Sequence, residues 1–314
     1  IMGAKPVGCV FSEWALQDPS AWDFIRPILA ENNGWAIFNY TPRGKNHGWT
    51  RLEAARAYPK GGYSEVLTVE DTRAVDKETL AQERREIILK NGTDALYQQE
   101  YMCSFEVPIE GAYYGVQMMA AEDEGRITGV PYDKAVLVHT AWDLGIDDSM
   151  AIWFFQVAGQ EKHFIDYYES TGEGLTHYIS YLKDKPYIYG SHYAPHDIKV
   201  RELGTGKSRL ETAKSLGIDF DVGRQLPVED GIDAVRTVLN QCWFDKIKCA
   251  KGISALVSYH KEWDEDNQVF RKHPEHDWSS HGADAFRSFA TGYRRLILDV
   301  SQDDVGGVKP MYPE

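Results

Sequence analysis

The residues VLVHTAWDLGIDDSMAIWFF, positions 136–155, form two apolar runs separated by a cluster of acids. Short apolar runs bounded by a turn signal are typical of buried β-strands. Gly145 permits a sharp reversal, so we expect Asp143 at the end of the first strand, with Asp147 and Asp148 on the turn. The stretch therefore predicts an antiparallel hairpin that presents a carboxylate at one end.

The segments that follow extend this hairpin into a sheet. Strands predicted at about 136–143, 149–157 and 161–168 are separated by short polar turns, as in an antiparallel meander. A helix over THYISYLKDK then leads to a strand, YIYGSHYAP. Further helices are predicted near 208–216, 228–244, 252–263 and 279–293. This order predicts an α/β, ribonuclease H-like domain, a mixed sheet flanked by helices.

The first hundred residues have a separate α/β pattern. Residues 7–11, 35–40 and 63–69 are predicted to be buried parallel strands. A helix is predicted from Asp76, a capping residue, to Gly92, with Leu80, Ile87 and Ile88 facing inward. The stretch 107–111, which contains a proline and a glycine, is the predicted joint. We therefore expect domains at residues 1–108 and 109–302, followed by an extended tail at 303–314.

Composition limits the classes of function. The chain has 314 residues, with 34 Lys plus Arg against 48 Asp plus Glu, a net charge of -14. A broadly basic nucleic-acid-binding surface is therefore excluded, and any DNA contact must be local or metal-bridged. The four cysteines lack zinc-site spacing, and Cys242 is predicted on an apolar helical face. Apolar runs fall short of the roughly 20 residues of a membrane span, which predicts a soluble intracellular protein.

Three acids are predicted to meet at one edge of the sheet. Asp143 and Asp197 each end a central strand, and Asp284 lies on a helix with Asp277 and His281 at helical spacing. Each acid alone is more typical of a turn or cap, but their joint placement favours a site. Converging carboxylates require a cation, and hard oxygen ligands favour two Mg²⁺ or Mn²⁺ ions. Asp148 is the expected auxiliary ligand.

A glycine-containing loop follows Asp197. Its sequence, ELGTGKSRLETA, fails the phosphate-binding-loop pattern because Arg201 occupies the position of the first glycine. A capping box is predicted at the start of the next helix. Four cations crowd this loop, and binding to the DNA backbone and simple solvation are equally consistent with them. They are Lys199, Arg201, Lys207 and Arg209.

Two strand ends near the N-terminus carry polar residues. Glu13 follows the strand VGCVF, and Thr41 begins the loop TPRGKNHG after the strand WAIFNY. Nucleotide hydrolases keep metal ligands and water-orienting acids at such strand ends.

Taken in order, these segments resemble the large terminase subunit of tailed bacteriophages. The segments are FSEWALQDPSAWDFIRPILAENNGWAIFNYTPRGKNHG, ALYQQEYMCSFE, AWDLG, HYAPHD and SHGADAFR, and together they extend over nearly the whole chain. The resemblance implies the C-terminal part of a packaging ATPase domain followed by a ribonuclease H-like endonuclease. The nuclease would cut concatemeric double-stranded DNA, coupled in the full protein to ATP-driven translocation into a procapsid.

The resemblance also implies residue roles and partners. Glu13 would be the catalytic glutamate of the Walker B element and Thr41 part of the coupling motif, while Asp143, Asp197 and Asp284 would be the nuclease acids. Ser12 stands where the family has its Mg²⁺-binding aspartate. The chain starts just before this element, without a phosphate-binding loop, so we expect no ATPase activity from it alone.

The implied partners are DNA, a portal protein and a small terminase subunit. The implied location is the host cytoplasm, transiently at the portal vertex, as an oligomer on the procapsid and a monomer in isolation. Two alternatives remain. One is a packaging or docking module without nuclease activity. The other is a resolvase or transposase of similar fold, which leaves the ATPase-like first hundred residues unexplained.

Overall fold

The computed structural model describes residues 5–145, 149–201, 206–264 and 269–303. It divides into two compact units. Unit 1 comprises Ile1–Ala120 and Ile253–Ser279, and unit 2 comprises Ala121–Gly252 and Ser280–Glu314. The functional domain boundaries at 108/109 and 302/303 stay predictions. Among the described residues, no helix is long and apolar enough to cross a membrane.

Unit 1 begins with a parallel pair of strands. Strand β1 (Gly8–Ser12) pairs with β2 (Trp35–Asn39), with Phe11 opposite Phe38. Their rings stack with centroids 4.9 Å apart, and Ile25 and Leu29 of helix α1 (Ser20–Glu31) pack against the same cluster. Two of the three strands predicted here are therefore confirmed as a parallel pair, but their predicted burial is wrong because Val10, Trp35 and Ile37 are exposed. The helices that follow are α2 (His47–Ala57), α3 (Val69–Thr72), α4 (Lys77–Asn91), α5 (Ala95–Glu100) and α6 (Gly115–Asp123).

The third predicted strand, at 63–69, is wrong. Its side chains alternate in exposure, but the segment belongs to no sheet, and Tyr63 and Leu67 are exposed. Alternation reports only an extended backbone, whereas a strand also needs a partner. Helix α4 starts and stops as predicted, with the Asp76 carboxylate accepting from the Thr79 N–H at 2.8 Å and Gly92 at φ 75°. Its predicted inward face is only partly correct, because Ile88 is exposed.

Unit 2 contains a mixed sheet of seven strands within the described residues. The strand order is β3-β9-β6-β5-β4-β7-β8. Strands β4, β5 and β6 form the predicted antiparallel meander, and β7 lies parallel to β4 on its other side. The strands are β3 (Ile127–Thr128), β4 (Val138–Leu144), β5 (Ser149–Ala158), β6 (Glu161–Thr171), β7 (Tyr189–Ala194), β8 (Phe220–Val222) and β9 (Cys242–Asp245).

This arrangement confirms the ribonuclease H-like α/β fold. Helix α7 (Leu175–Asp184) provides the crossover from β6 to β7, which run parallel and are separated in the sheet by β5 and β4. The remaining helices are α8 (Arg209–Ser215), α9 (Val228–Val238), α10 (Ala250–Ser258) and α11 (Trp278–Asp303). Strands β10 (Lys261–Asp264) and β11 (Val269–Pro274) form a separate antiparallel pair in unit 1.

Apolar side chains cover both faces of the central strands. On one face, Trp142 and Ile152 pack with Tyr178 of α7. On the other, Trp153 contacts Phe286 of α11, with ring centroids 5.4 Å apart, and its indole N–H donates to the Gly282 carbonyl at 2.8 Å. Because both faces of these strands are buried, their sequences are continuous apolar runs and do not alternate with polar residues.

Two predicted helices are shorter than expected. The helix predicted over 228–244 ends at Val238, and Cys242 begins β9, so its predicted helical placement is wrong. The helix predicted over 252–263 ends at Ser258, and β10 follows. A short apolar run is locally compatible with either a helix or a strand. Residues 242–245 form the strand β9 because they pair with β6. The capping box of α8 is confirmed, with the Glu211 N–H donating to Ser208 Oγ at 3.1 Å.

Candidate active sites

Asp143 lies near the carboxyl end of β4, an interior strand of the sheet. Trp142 and Leu144 on either side of it point into the core, so alternation directs Asp143 to the opposite face of the sheet. Its side chain is 19% exposed, and its Oδ2 lies 3.4 Å from Nδ1 of His281 on α11. The structure thus brings Asp143 of β4 close to His281 of α11, two residues that the sequence analysis had assigned to one site.

Asp197 and Asp284 occupy the neighbouring elements. Asp197 is exposed on a 3-10 turn directly after β7, which runs parallel to β4, so the two strands end at the same edge. Asp284 lies on α11 one turn beyond His281, and its Oδ1 is 3.0 Å from Nη1 of Arg287. The described part of the chain contains no group of three His, Cys, Asp or Glu side chains arranged to hold a metal ion. The three-acid assignment therefore stays a prediction.

The remaining predicted acids differ in status. Asp147 and Asp148 lie outside the described residues, so the auxiliary-ligand prediction is untested. Asp277 precedes α11, and its Oδ1 accepts hydrogen bonds from the backbone N–H of Ser279 at 2.8 Å and from the Ser279 hydroxyl at 2.6 Å. These contacts are those of a helix-capping acid.

A second carboxylate on the Asp143 face was missed by the sequence reasoning. Asp143 pairs with Ala151 on β5, and Ala151 pairs with Glu169 on β6, so the three side chains share one face. The Glu169 side chain is 3% exposed, and its Oε1 lies 3.0 Å from Nζ of Lys251. The acid could have been noticed as a charge near the end of an apolar strand.

The hydroxyl of Tyr167 donates to Oε2 of Glu169. Burial raises the pKa of Tyr167 well above its ordinary value, and the charges of Glu169 and Asp143 raise it further. The phenol therefore remains protonated and available as a donor at any ordinary pH.

The basic loop adjoins the end of β4. Arg201 and Ser208 form an antiparallel bridge that closes the loop, and Lys207 is exposed beside it. The guanidinium of Arg209 donates to the backbone carbonyl of Leu144, the residue after Asp143. Lys199 is exposed at the end of the turn that carries Asp197. Arg209 thus contacts the end of β4 and Lys199 lies on the turn after β7, whereas contact with DNA stays a prediction.

The strand ends in unit 1 carry the other candidate site. Glu13 directly follows β1, is exposed, and has φ 54°, a left-handed conformation that is strained for a residue with a side chain. Thr41 begins the loop after β2 and is half-buried. That loop is anchored to the turn after Glu13, because Asn46 Nδ2 donates to the Ala15 carbonyl at 2.8 Å. The roles of Glu13 and Thr41 stay predictions.

Comparisons with known proteins give structural matches only. No protein-family model and no curated protein sequence matches the chain. The chain is similar to the large terminase of a thermophilic bacteriophage in complex with ATP-gamma-S, at 18% identity over 93% of this chain and 71% of that chain, with a TM-score of 0.45.

Two isolated domains also match. The P22 large terminase nuclease domain matches at 16% identity over 55% of this chain and 89% of that one, with a TM-score of 0.43. The nuclease domain of the g2p large terminase from bacteriophage SPP1, with bound Mn, matches at 14% identity over 51% and 86%, with a TM-score of 0.39.

Proposed function

We propose that this chain is a terminase-type endonuclease that cuts double-stranded DNA with the help of divalent metal ions. One observation carries the proposal. Asp143 lies at the end of β4, an interior strand of the ribonuclease H-like sheet, beside His281. Asp197 follows the end of the adjacent parallel strand β7, at the same edge of the sheet. Carboxylates at the ends of adjacent strands, close to a helix bearing a third acid, are suited to metal-assisted phosphodiester hydrolysis.

Asp143, Asp197 and Asp284 would hold two Mg²⁺ or Mn²⁺ ions, with Asp148 as an auxiliary ligand. Their oxygen donors have the chemistry that these ions prefer. When bound, the ions would activate a water and stabilise the leaving oxygen. Asp284 would exchange its 3.0 Å contact with Arg287 for the metal, and His281 would orient the Asp143 carboxylate.

DNA would reach the site along the basic loop. The net charge of -14 disfavours a general attraction to DNA, so the local cations Lys199, Arg201, Lys207 and Arg209 would supply the phosphate contacts. Arg209 already bonds to the backbone beside Asp143. Binding of this kind would be weak, sensitive to salt and nearly independent of sequence.

Unit 1 would serve the packaging function of the full protein. Glu13 would orient the attacking water in an ATPase and Thr41 would couple hydrolysis to movement, as the sequence resemblance implies. The left-handed backbone at Glu13 and the buried bond between the two strand-end segments are consistent with a site held in a fixed geometry. The proposed partners are a portal protein and a small terminase subunit, in the host cytoplasm and at the procapsid.

Cleavage of supercoiled plasmid DNA tests the nuclease proposal. Purified chain incubated with Mn²⁺ or Mg²⁺ should nick and linearise the plasmid, and excess chelator should abolish both products. Titration of NaCl should suppress cleavage steeply. A chain that binds DNA but never cuts it with either metal would instead support the packaging or docking module.

A further inference from the structure

Glu169 is a buried charge for which the proposed three-acid chemistry has no use. Its side chain is 3% exposed, less than that of Asp143 at 19%. Burying an ionised carboxylate is costly unless charged or hydrogen-bonding partners compensate. Both of its oxygens have such partners, since Oε1 contacts Lys251 and Oε2 accepts from the Tyr167 hydroxyl. The carboxylate therefore anchors both of these groups.

The sheet register determines the distance from this anchor to Asp143. Asp143, Ala151 and Glu169 occupy matched positions on three adjacent strands. Two strand spacings of about 4.8 Å each separate the outer backbones by about 10 Å. Ala151, the residue between them, is fully buried, so protein atoms cover the sheet between the two carboxylates.

Lys251 is the cation next to Glu169, at the end of this row that is far from Asp143. Its side chain is 32% exposed, and its Nζ lies 3.0 Å from Oε1 of Glu169. The following residue also fixes its position, because a Cβ on Gly252 would lie 2.4 Å from the Trp153 ring. An ammonium has three N–H donors, and the Glu169 contact uses one of them.

We propose that Lys251 contacts a non-bridging oxygen of the scissile phosphodiester, and that Glu169, supported by Tyr167, is the positioning residue for Lys251. This inference rests on the proposed nuclease function. A preorganised cation stabilises the negative charge that develops on phosphate during hydrolysis. As a purely structural feature the pair would contribute little, because replacing both members of a buried ion pair by neutral groups is often neutral for stability.

Three variants and a control separate these roles. Lys251→Met removes the ammonium, Glu169→Gln removes only the anchoring charge, and the double variant removes both, so that no buried charge is left unpaired. Lys248→Met is the control because it removes an exposed lysine three residues away. Each protein is compared with the full wild-type chain in urea unfolding, plasmid cleavage with Mn²⁺, and binding to a short DNA duplex with Ca²⁺ replacing Mn²⁺.

We expect the double variant to unfold near the wild-type urea midpoint and to cut at least about tenfold more slowly. The slope of log affinity against log salt should fall in magnitude by about 0.9, the value of one phosphate contact, and should not change in the control. Glu169→Gln should raise KM more than it lowers kcat. It should have no further effect in the Lys251→Met background, because Glu169 acts through Lys251.

Wild-type cleavage and an unchanged salt slope in the double variant would reduce Lys251 and Glu169 to a structural pair and leave the nuclease proposal intact. Additive losses from the two single variants would contradict the positioning role of Glu169. A wild-type chain that fails to cut with any metal would overturn the nuclease proposal itself, and this inference with it.

Discussion

Replacement of Asp143 by Asn distinguishes a nuclease role from a structural one. Asn keeps the size of the side chain but removes its charge, and the described contact that it perturbs is the 3.4 Å approach to His281. A hydrogen bond contributes about 0.5–1.5 kcal/mol net, and a long one lies at the low end of that range. We therefore expect the free energy of unfolding to change by less than about 1 kcal/mol.

The effect of Asp143→Asn on cleavage should be much larger. A metal-bridging carboxylate supports both activation of water and stabilisation of charge, so its loss should slow cleavage on the order of a hundredfold or more. A hundredfold corresponds to about 2.7 kcal/mol in activation free energy, well above the expected change in stability.

Initial rates of plasmid linearisation in Mn²⁺ measure the loss of cleavage activity. Urea unfolding of the same preparations measures the change in the free energy of unfolding. Asp219→Asn is the matched control, since Asp219 is 85% exposed and lies 3.7 Å from Lys214. Near-normal cutting by Asp143→Asn, or loss of cutting that merely follows a loss of several kcal/mol of stability, would make Asp143 a structural residue.

Other perturbations test the packing, a buried imidazole and the basic loop. Gly252→Ala should cost about 1–3 kcal/mol in unfolding free energy, because the new Cβ would lie 2.4 Å from the Trp153 ring; an unchanged urea midpoint would contradict this packing. Burial lowers the pKa of His192 from 6.5 to about 4, so its stabilising contribution is complete above pH 6.5 and is lost as pH falls toward 4. Wild type should lose about 3 kcal/mol more than His192→Gln over that interval, and parallel pH profiles would refute the assignment. Lys207→Gln should reduce the slope of log DNA affinity against log salt by about 0.9 in magnitude. Lys214→Gln, near the other end of α8, should leave the slope unchanged. Equal slopes in the two variants would mean that the loop is merely solvated and does not bind DNA.

Local patterns in the sequence were sufficient to predict much of the fold. The meander β4–β6 follows from apolar runs separated by short polar turns, and the ends of α4 follow from Asp76 and Gly92. The same patterns failed where a local preference was ambiguous. Residues 63–69 alternate like a strand but have no partner, and Cys242 fits a helical face but pairs into the sheet. Pairing depends on distant residues, which a window of neighbours does not contain.

The candidate site likewise combines features that the sequence predicts with features that only the tertiary structure shows. The sequence alone determined that Asp143 ends a strand and that His281 and Asp284 share a helix, because alternation and helical spacing are local properties. Only the tertiary structure decided that Glu169 lies across Ala151 from Asp143 and that Lys251 meets it at 3.0 Å. Strand order and register set those contacts, and a slip of one residue would turn Glu169 to the opposite face of the sheet.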